Sequence, residues 1–149
     1  MTAQDAFKRM MSDCVVPLLR SHRYRGSGQR FWLPNESHHA GFGVQRRIGS
    51  TGLAVRFTAN LVVVGRREWE DFLIQHPYHP ERPSPNTYAP RPAMWKRIGE
   101  IMPGGQDKWW TISEGDVEDR TASEFTEAVA AYAIPFIETH IGPGGGEQP

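Results

Sequence analysis

Between Leu53 and Val64 the chain alternates. Leu53, Val55, Phe57, Ala59, Leu61 and Val63 fall on one side, and Ala54, Arg56, Thr58 and Asn60 on the other. A period of two predicts a β-strand with one face in a core. At Val62, Val63 and Val64 the alternation stops, which predicts burial on both faces at that end. A long, β-branched strand in the middle of a chain is expected to be central, with other elements packed against it.

Ahead of it, Ala3, Phe7, Met10, Met11, Cys14, Leu18 and Leu19 recur at intervals of three and four. That is the apolar stripe of a helix. Thr2 and Asp5 suit a capping box at its start, and Pro17 predicts a kink or a restart. Gly26, Ser27 and Gly28 end the helical region. Arg30 to Leu33 and His38 to Arg47 read as strands separated by Pro34 and Asn35. In the second, Phe42 and Val44 point one way and Gly41, Gly43 and Gln45 the other, so small residues leave room for a ligand or a second backbone. Gly49 and Gly52 bracket a turn into the central strand, giving an antiparallel meander.

After the central strand, Trp69, Phe72 and Leu73 predict a short helix over Arg66 to Gln75. From His76 to Pro92 six of seventeen residues are proline. Such a segment forms neither helix interior nor central strand and is expected to be an extended loop, of the kind used as a lid or binding loop. Ala93 to Ile101 and Lys108 to Ser113 read as two further strands, turned at Pro103-Gly104-Gly105. Thr121 and Glu124 suit a second capping box, ahead of a helix carrying Phe125, Val129, Tyr132 and Phe136 and stopped by Gly142 and Pro143. The expectation is a single α+β domain over residues 1–141, with an antiparallel sheet of about five strands and the N- and C-terminal helices packed on one face. Residues 142–149 are expected to be a disordered tail. Phe7, Pro17 and His22 recur at the same spacing as Phe125, Pro135 and His140; three residues are too few to establish a duplication, and the match reads as coincidence.

Bulk composition narrows the class. Hydrophobic content of 38% and charged content of 23% suit a globular body. No apolar run nears the ~18 residues of a membrane span, and the first residues lack a signal-peptide pattern. One cysteine, Cys14, cannot form an internal disulfide, so a cytoplasmic location is expected. Net charge is zero but divided: residues 1–75 carry 11 Lys+Arg against 6 Asp+Glu, and residues 76–149 carry 6 against 11. Arg20, Arg23, Arg25, Arg30, Arg46 and Arg47 could form a basic face, yet nucleic-acid binders usually show a net basic domain. Nucleic acid is the least expected partner.

Familiar chemistry is sparse. His38, His39, His76 and His79 are the only metal-like grouping, and they lack thiolate company or a His-Glu-x-x-His spacing. They read as surface histidines, with no metal and no cofactor expected. Cys14 lies on the apolar stripe and reads as an inert thiol. No nucleophile elbow, Walker loop or dinucleotide fingerprint occurs. Glu114, Asp116, Glu118 and Asp119 read as a solvated connection that favours the start of the last helix.

Trp109 and Trp110 adjoin in a strand, so one ring fills the core and the other needs cover. The second sheet face also carries Gln45, Arg56, Thr58 and Asn60, and an indole among hydrogen-bonding groups is what a small-molecule or peptide site requires. The competing expectation is that the proline-rich loop, with Tyr78 and Tyr88, covers this face and forms a second small core.

Several short pieces, in order, resemble a bacterial family of uncharacterised proteins, domain of unknown function 4304. They are Val16-Pro17-Leu18-Leu19 before a glycine-containing turn and Phe31, then Phe57-Thr58-Ala59-Asn60-Leu61, Ile98-Gly99, Trp109-Trp110 and Ile134-Pro135-Phe136. The resemblance covers roughly Phe7 to Ile137. It implies a small bacterial protein and brings no catalytic or binding residue with it.

The function expected is a non-enzymatic binding or protein-interaction module. Its candidate residues are Gln45, Arg56, Thr58, Asn60, Trp109, Trp110, His76 and His79, and its partner a protein or small molecule. The alternative is a small hydrolase or transferase with its site under the loop, His76 or His79 serving as base and Arg56 as anion clamp. A weak nucleic-acid binder is the third reading.

Overall fold

The computed structural model describes residues 2–47, 53–115 and 120–142. Six strands, β1 (Arg25–Ser27), β2 (Arg30–Trp32), β3 (His38–Arg46), β4 (Ala54–Gly65), β5 (Met94–Arg97) and β6 (Trp110–Ser113), form one antiparallel sheet. β3 pairs with β4 from His38 opposite Gly65 to Arg46 opposite Phe57. The other edge of β4 is divided between two strands. β5 lies against Asn60–Val63 and β6 against Ala54–Phe57. Between them the Thr58 hydroxyl donates to the Lys108 carbonyl at 2.6 Å.

The alternation in β4 has the expected consequence. Val55, Phe57, Ala59, Leu61 and Val63 enter the main core, whereas Leu53 lies before the strand and is 69% exposed. Phe57 is the centre of an aromatic group. Phe7 and Phe125 meet it edge-on at centroid distances of 5.3 and 4.9 Å, and Trp110 stacks on it at 6.4 Å. Edge and offset contacts of this kind add about 0.5–1.5 kcal/mol per pair beyond area burial.

The helices are α1 (Ala3–Met10), α2 (Val16–Ser21), α3 (Arg66–Gln75), α4 (Ile98–Ile101), α5 (Arg120–Ala128) and α6 (Ile134–Ile141). The terminal ones pack on the sheet, α1 and α6 both touching β4. The Thr2–Asp5 capping box is present. α1 runs into α2 through a π-helical turn, Met11–Val15, and α5 into α6 through another, Val129–Ala133. In these turns the Val16 N–H donates to the Met11 carbonyl and the Ile134 N–H to the Val129 carbonyl, five residues back. Pro17 and Pro135 each follow by one position. A proline ring crowds the carbonyl four residues earlier and offers no donor, and the wider turn absorbs both defects.

Each π turn also inserts one residue, which moves the buried face. Leu19 is buried as expected, and Val15, Ala133 and Ile137 are buried too, in place of the other four expected there, Cys14, Leu18, Tyr132 and Phe136. The four expected residues are half-buried. The spacing shared by Phe7/Pro17/His22 and Phe125/Pro135/His140 therefore has structural content: one helix–π turn–helix device, used twice against Phe57.

Other elements depart from expectation. Arg25–Ser27 is a strand, paired with β2 across a turn that Gly28 makes at φ 65°. The segment Ala93–Ile101 is strand only to Arg97. Ile98–Ile101 turns into a helix whose start is capped by Glu100, which accepts from the Arg97 N–H at 2.7 Å; Gly99 lets the backbone of Gln106 and Lys108 approach it, where a Cβ would collide. Thr121 lies inside α5 and caps nothing; its hydroxyl donates to the Thr111 carbonyl at 3.4 Å. The turn at Gly49–Gly52, the acids from Asp116 to Asp119 and the tail beyond Gly142 lie outside the described residues. Among the described residues no helix is long and apolar enough to cross a membrane.

Candidate functional site

Register sets the rows of the second sheet face. Trp32, Gly41, Val62 and Trp95 form one row, Arg30, Gly43, Asn60 and Arg97 the next, with Gln45 opposite Thr58 beyond them. The proline-rich loop crosses these rows and is fastened by side chains. Trp69 Nε1 donates to the Pro80 carbonyl at 3.0 Å, and Trp95 Nε1 to the Pro85 carbonyl at 2.8 Å. Beneath the loop Val62, Val64, Trp69, Ala89 and Ala93 make a second small core, flanked by Phe72, Leu73 and Trp95. Tyr78 and Tyr88, expected as part of the cover, are 78% and 68% exposed. The loop covers the sheet with prolines, alanines and Asn86, so the tyrosines are left in solvent.

The expected site residues divide into three places. Asn60 is fully buried and is the hub of the first. Its Nδ2 donates to Gln45 Oε1 at 2.8 Å and to Asn86 Oδ1 at 3.0 Å, while its Oδ1 accepts from Arg97 Nε at 3.3 Å. Asn86 also donates to the Val44 carbonyl at 3.1 Å. Thr58, fully buried as well, is committed to Lys108. These groups satisfy one another, which is what buried polar atoms require.

Trp110 belongs to the main core, packed against Phe57 and Phe125. Trp109 is the half-buried member of the pair and forms the second place. Its Nε1 donates to Asp107 Oδ2 at 2.8 Å, and the Arg97 guanidinium lies 5.1 Å from its ring centroid. Arg97 also approaches Asp107 at 3.8 Å. Arg56 is exposed near the start of β4, opposite Thr111.

His76 and His79 occupy the third place, after α3. The His76 ring stacks on Phe72 at 4.4 Å, and the His79 ring lies 5.2 Å from Phe72 and 6.1 Å from Trp69. α3 begins where β4 ends, and about 30 Å of extended strand separates Arg56 from that end. The histidine pair is thus remote from Arg56, whereas Arg97 joins the polar hub to the Trp109 ledge.

A different group of residues, among them the exposed Arg66 and Arg82, borders an open cleft. At the end of the β2–β3 hairpin a cavity of about 410 Å³ opens between the sheet and the loop, walled by Trp32, Leu33, Pro34, His39, Arg66 and Arg82. Arg66 opens α3, and its Nε donates to the Asn35 carbonyl at 2.9 Å. Arg82 comes from the loop, and its guanidinium carbon lies over Trp32, 3.6 Å from the ring centroid. Trp32 rests in turn on Gly41, where a Cβ would come within 3.2 Å of the indole nitrogen.

His39, expected at the surface, is only 8% exposed, since β3 turns it toward the loop. Burial, with Arg66 and Arg82 adding repulsion, lowers its pKa to about 4, so the ring is neutral at pH 7. Two buried nitrogens here, Trp32 Nε1 and His39 Nδ1, have no hydrogen-bond partner among the described residues. Unpaired buried polar atoms are rare in folded proteins. A second hollow, of about 530 Å³, shares Pro34 and Arg66 with the first and adds Asn35 and Glu36.

Sequence reasoning missed Trp32, Arg66 and Arg82, and took His39 only as one of four surface histidines. They are far apart along the chain and form no motif. The available signal was Gly41, read as a point of close approach; Trp32 makes that approach.

The model of one family, described as domain of unknown function (DUF4304), matches residues 15–139. No curated protein and no solved structure matches the chain.

Proposed function

We propose that this chain, which belongs to the family described as domain of unknown function (DUF4304), is a non-enzymatic binding module that takes a small ligand between its second sheet face and its proline-rich loop. The observation that carries the reading is the cavity of about 410 Å³ at Trp32, His39, Arg66 and Arg82. It lies in the size range of ligand pockets and joins apolar walls to a few polar groups. The setting proposed with it is a bacterial cytosol, in keeping with a single thiol that has no second cysteine to pair with.

The test is a titration of the ¹⁵N-labelled chain with a panel of anionic, neutral and cationic metabolites. The five tryptophan indole signals are followed together. At least one class of compound is expected to move the Trp32 indole signal saturably while leaving that of Trp110 in place. A Trp32 signal that no member of the panel moves would count against a ligand site here.

A further inference from the structure

The cavity's chemistry narrows the ligand. We infer that the space between Trp32, His39, Arg66 and Arg82 binds a small oxyanion, a phosphate or carboxylate group carried on a compact organic body. This inference rests on the binding-module reading and gives its site a ligand class.

The two arginines are the first ground. No carboxylate among the described residues lies within ion-pair distance of Arg66 or Arg82; the one ion pair there is Arg97–Asp107. Glu36 faces the neighbouring hollow, across Arg66, and does not line this one. Both guanidiniums are held in place without being used up. Arg66 spends Nε on the Asn35 carbonyl, which leaves its terminal nitrogens. Arg82 rests over the indole face, 3.6 Å from its centroid, and a contact through the ring face spends no N–H donor. A guanidinium offers only donors, so two of them at one cavity call for an acceptor-rich partner of negative charge.

Histidine chemistry agrees. His39 is kept neutral first by burial and then by Arg66 and Arg82, and an anion beside those cations would offset the second cause and raise the ring's pKa. The other titratable groups at this wall are His38 and Arg25. His38 Nδ1 is already engaged with the Ser37 hydroxyl at 2.8 Å. Size and lining complete the argument. A bare phosphate would leave much of about 410 Å³ unfilled, and Leu33 and Pro34 present apolar wall to whatever carries the charge.

The experiment uses the full chain and three probes at constant ionic strength: sodium sulfate, inorganic phosphate and sodium succinate. Dimethyl sulfone, an uncharged relative of sulfate, is the fourth. Binding is followed by the Trp32 indole signal and by the His39 ring pKa. At least one oxyanion is expected to bind saturably and to raise the His39 pKa, whereas dimethyl sulfone does neither. Phosphate against succinate then distinguishes the two sources of charge. Arg66→Gln and Arg82→Gln are each expected to weaken binding about tenfold. Arg67→Gln, a neighbour exposed like Arg66 and Arg82 but not lining the cavity, is expected to leave it unchanged. Unfolding midpoints of all three variants separate lost binding from lost fold.

Oxyanions that bind no more tightly than dimethyl sulfone, or that respond equally to Arg67→Gln and Arg82→Gln, would overturn the ligand class. A neutral metabolite that moves the Trp32 signal would leave the binding-module reading standing in that case. Silence from every probe and every metabolite would remove both.

Discussion

The side chain of Asn86 fills the space that a Cβ on Gly43 would need. A loop residue is thereby seated directly on the sheet backbone, and Asn86 fastens itself to Asn60 and Val44 from that seat. Gly43→Ala is expected to unseat Asn86 and to destabilise the fold by about 1–3 kcal/mol, the usual range for overpacking. Asn86→Ala alone is expected to cost about 1–2 kcal/mol through its lost hydrogen bonds. In the Asn86→Ala background the glycine substitution should cost much less, because the collision is gone. Urea denaturation of the four proteins checks this. Additive losses would mean that the two residues do not share one site.

His39 makes stability depend on pH in a defined direction. Its folded pKa, about 4, lies below the ordinary value of 6.5. Between those values the unfolded chain binds the additional proton, so stability rises with pH across that window and is lost as pH falls toward 4. Wild-type protein is expected to lose roughly 1–2 kcal/mol from this group between the two ends, allowing for solvent near the flanking arginines. His39→Gln should flatten that part of the profile, read from denaturation midpoints along a pH series. An unaltered slope in the variant would assign the effect to another group.

Tyr24 is buried, and its hydroxyl has no partner among the described residues. Burial raises its pKa, with the Glu138 carboxylate adding to the effect. Tyr24→Phe removes the unpaired hydroxyl and keeps the ring. The variant is expected to equal wild type or exceed it by up to about 1 kcal/mol. A clear drop in thermal midpoint would reveal a hydrogen bond to this oxygen, such as one from water.

The π turn at Met11–Val15 behaves as a one-residue insertion into a helix. Removing the exposed Ser12 while changing Pro17→Ala should restore an ordinary α-helix with Phe7, Val15 and Leu19 still on its buried side. That double variant is expected to unfold cooperatively within about 5 °C of wild type. Deleting Ser12 with Pro17 retained should cost more, because the proline ring then meets a regular turn. The reverse order of midpoints would sink this account of the turn.

The sheet was legible wherever a period of two met one dry face. β4 and the inward residues of β3 came straight from alternation, and the α+β class followed from them. The helices were legible as helices and Leu19 was placed correctly, but Val15, Ala133 and Ile137 hold the buried positions expected of Cys14, Tyr132 and Phe136. Periodicity assumes a constant number of residues per turn, and Pro17 and Pro135 mark where that assumption fails. Thr58 and Asn60 were placed on the second face correctly, yet their burial depended on Asn86 and Lys108, which only the fold brings to them. The cavity was illegible for the same reason. Trp32, His39, Arg66 and Arg82 come from two strands, a helix start and a loop, and no local rule links them.

β5 and β6 lie end to end along one side of β4, four residues each, and the opposite margin of the sheet is β1 with three. A long unpaired margin is a template on which a foreign strand can zip. Here each margin runs out after a few peptide groups, and the step between β5 and β6 is bridged by Thr58 and Lys108. The valine-rich β4 thereby has β3 along one side and two short strands along the other, so its own peptide groups offer no long free margin.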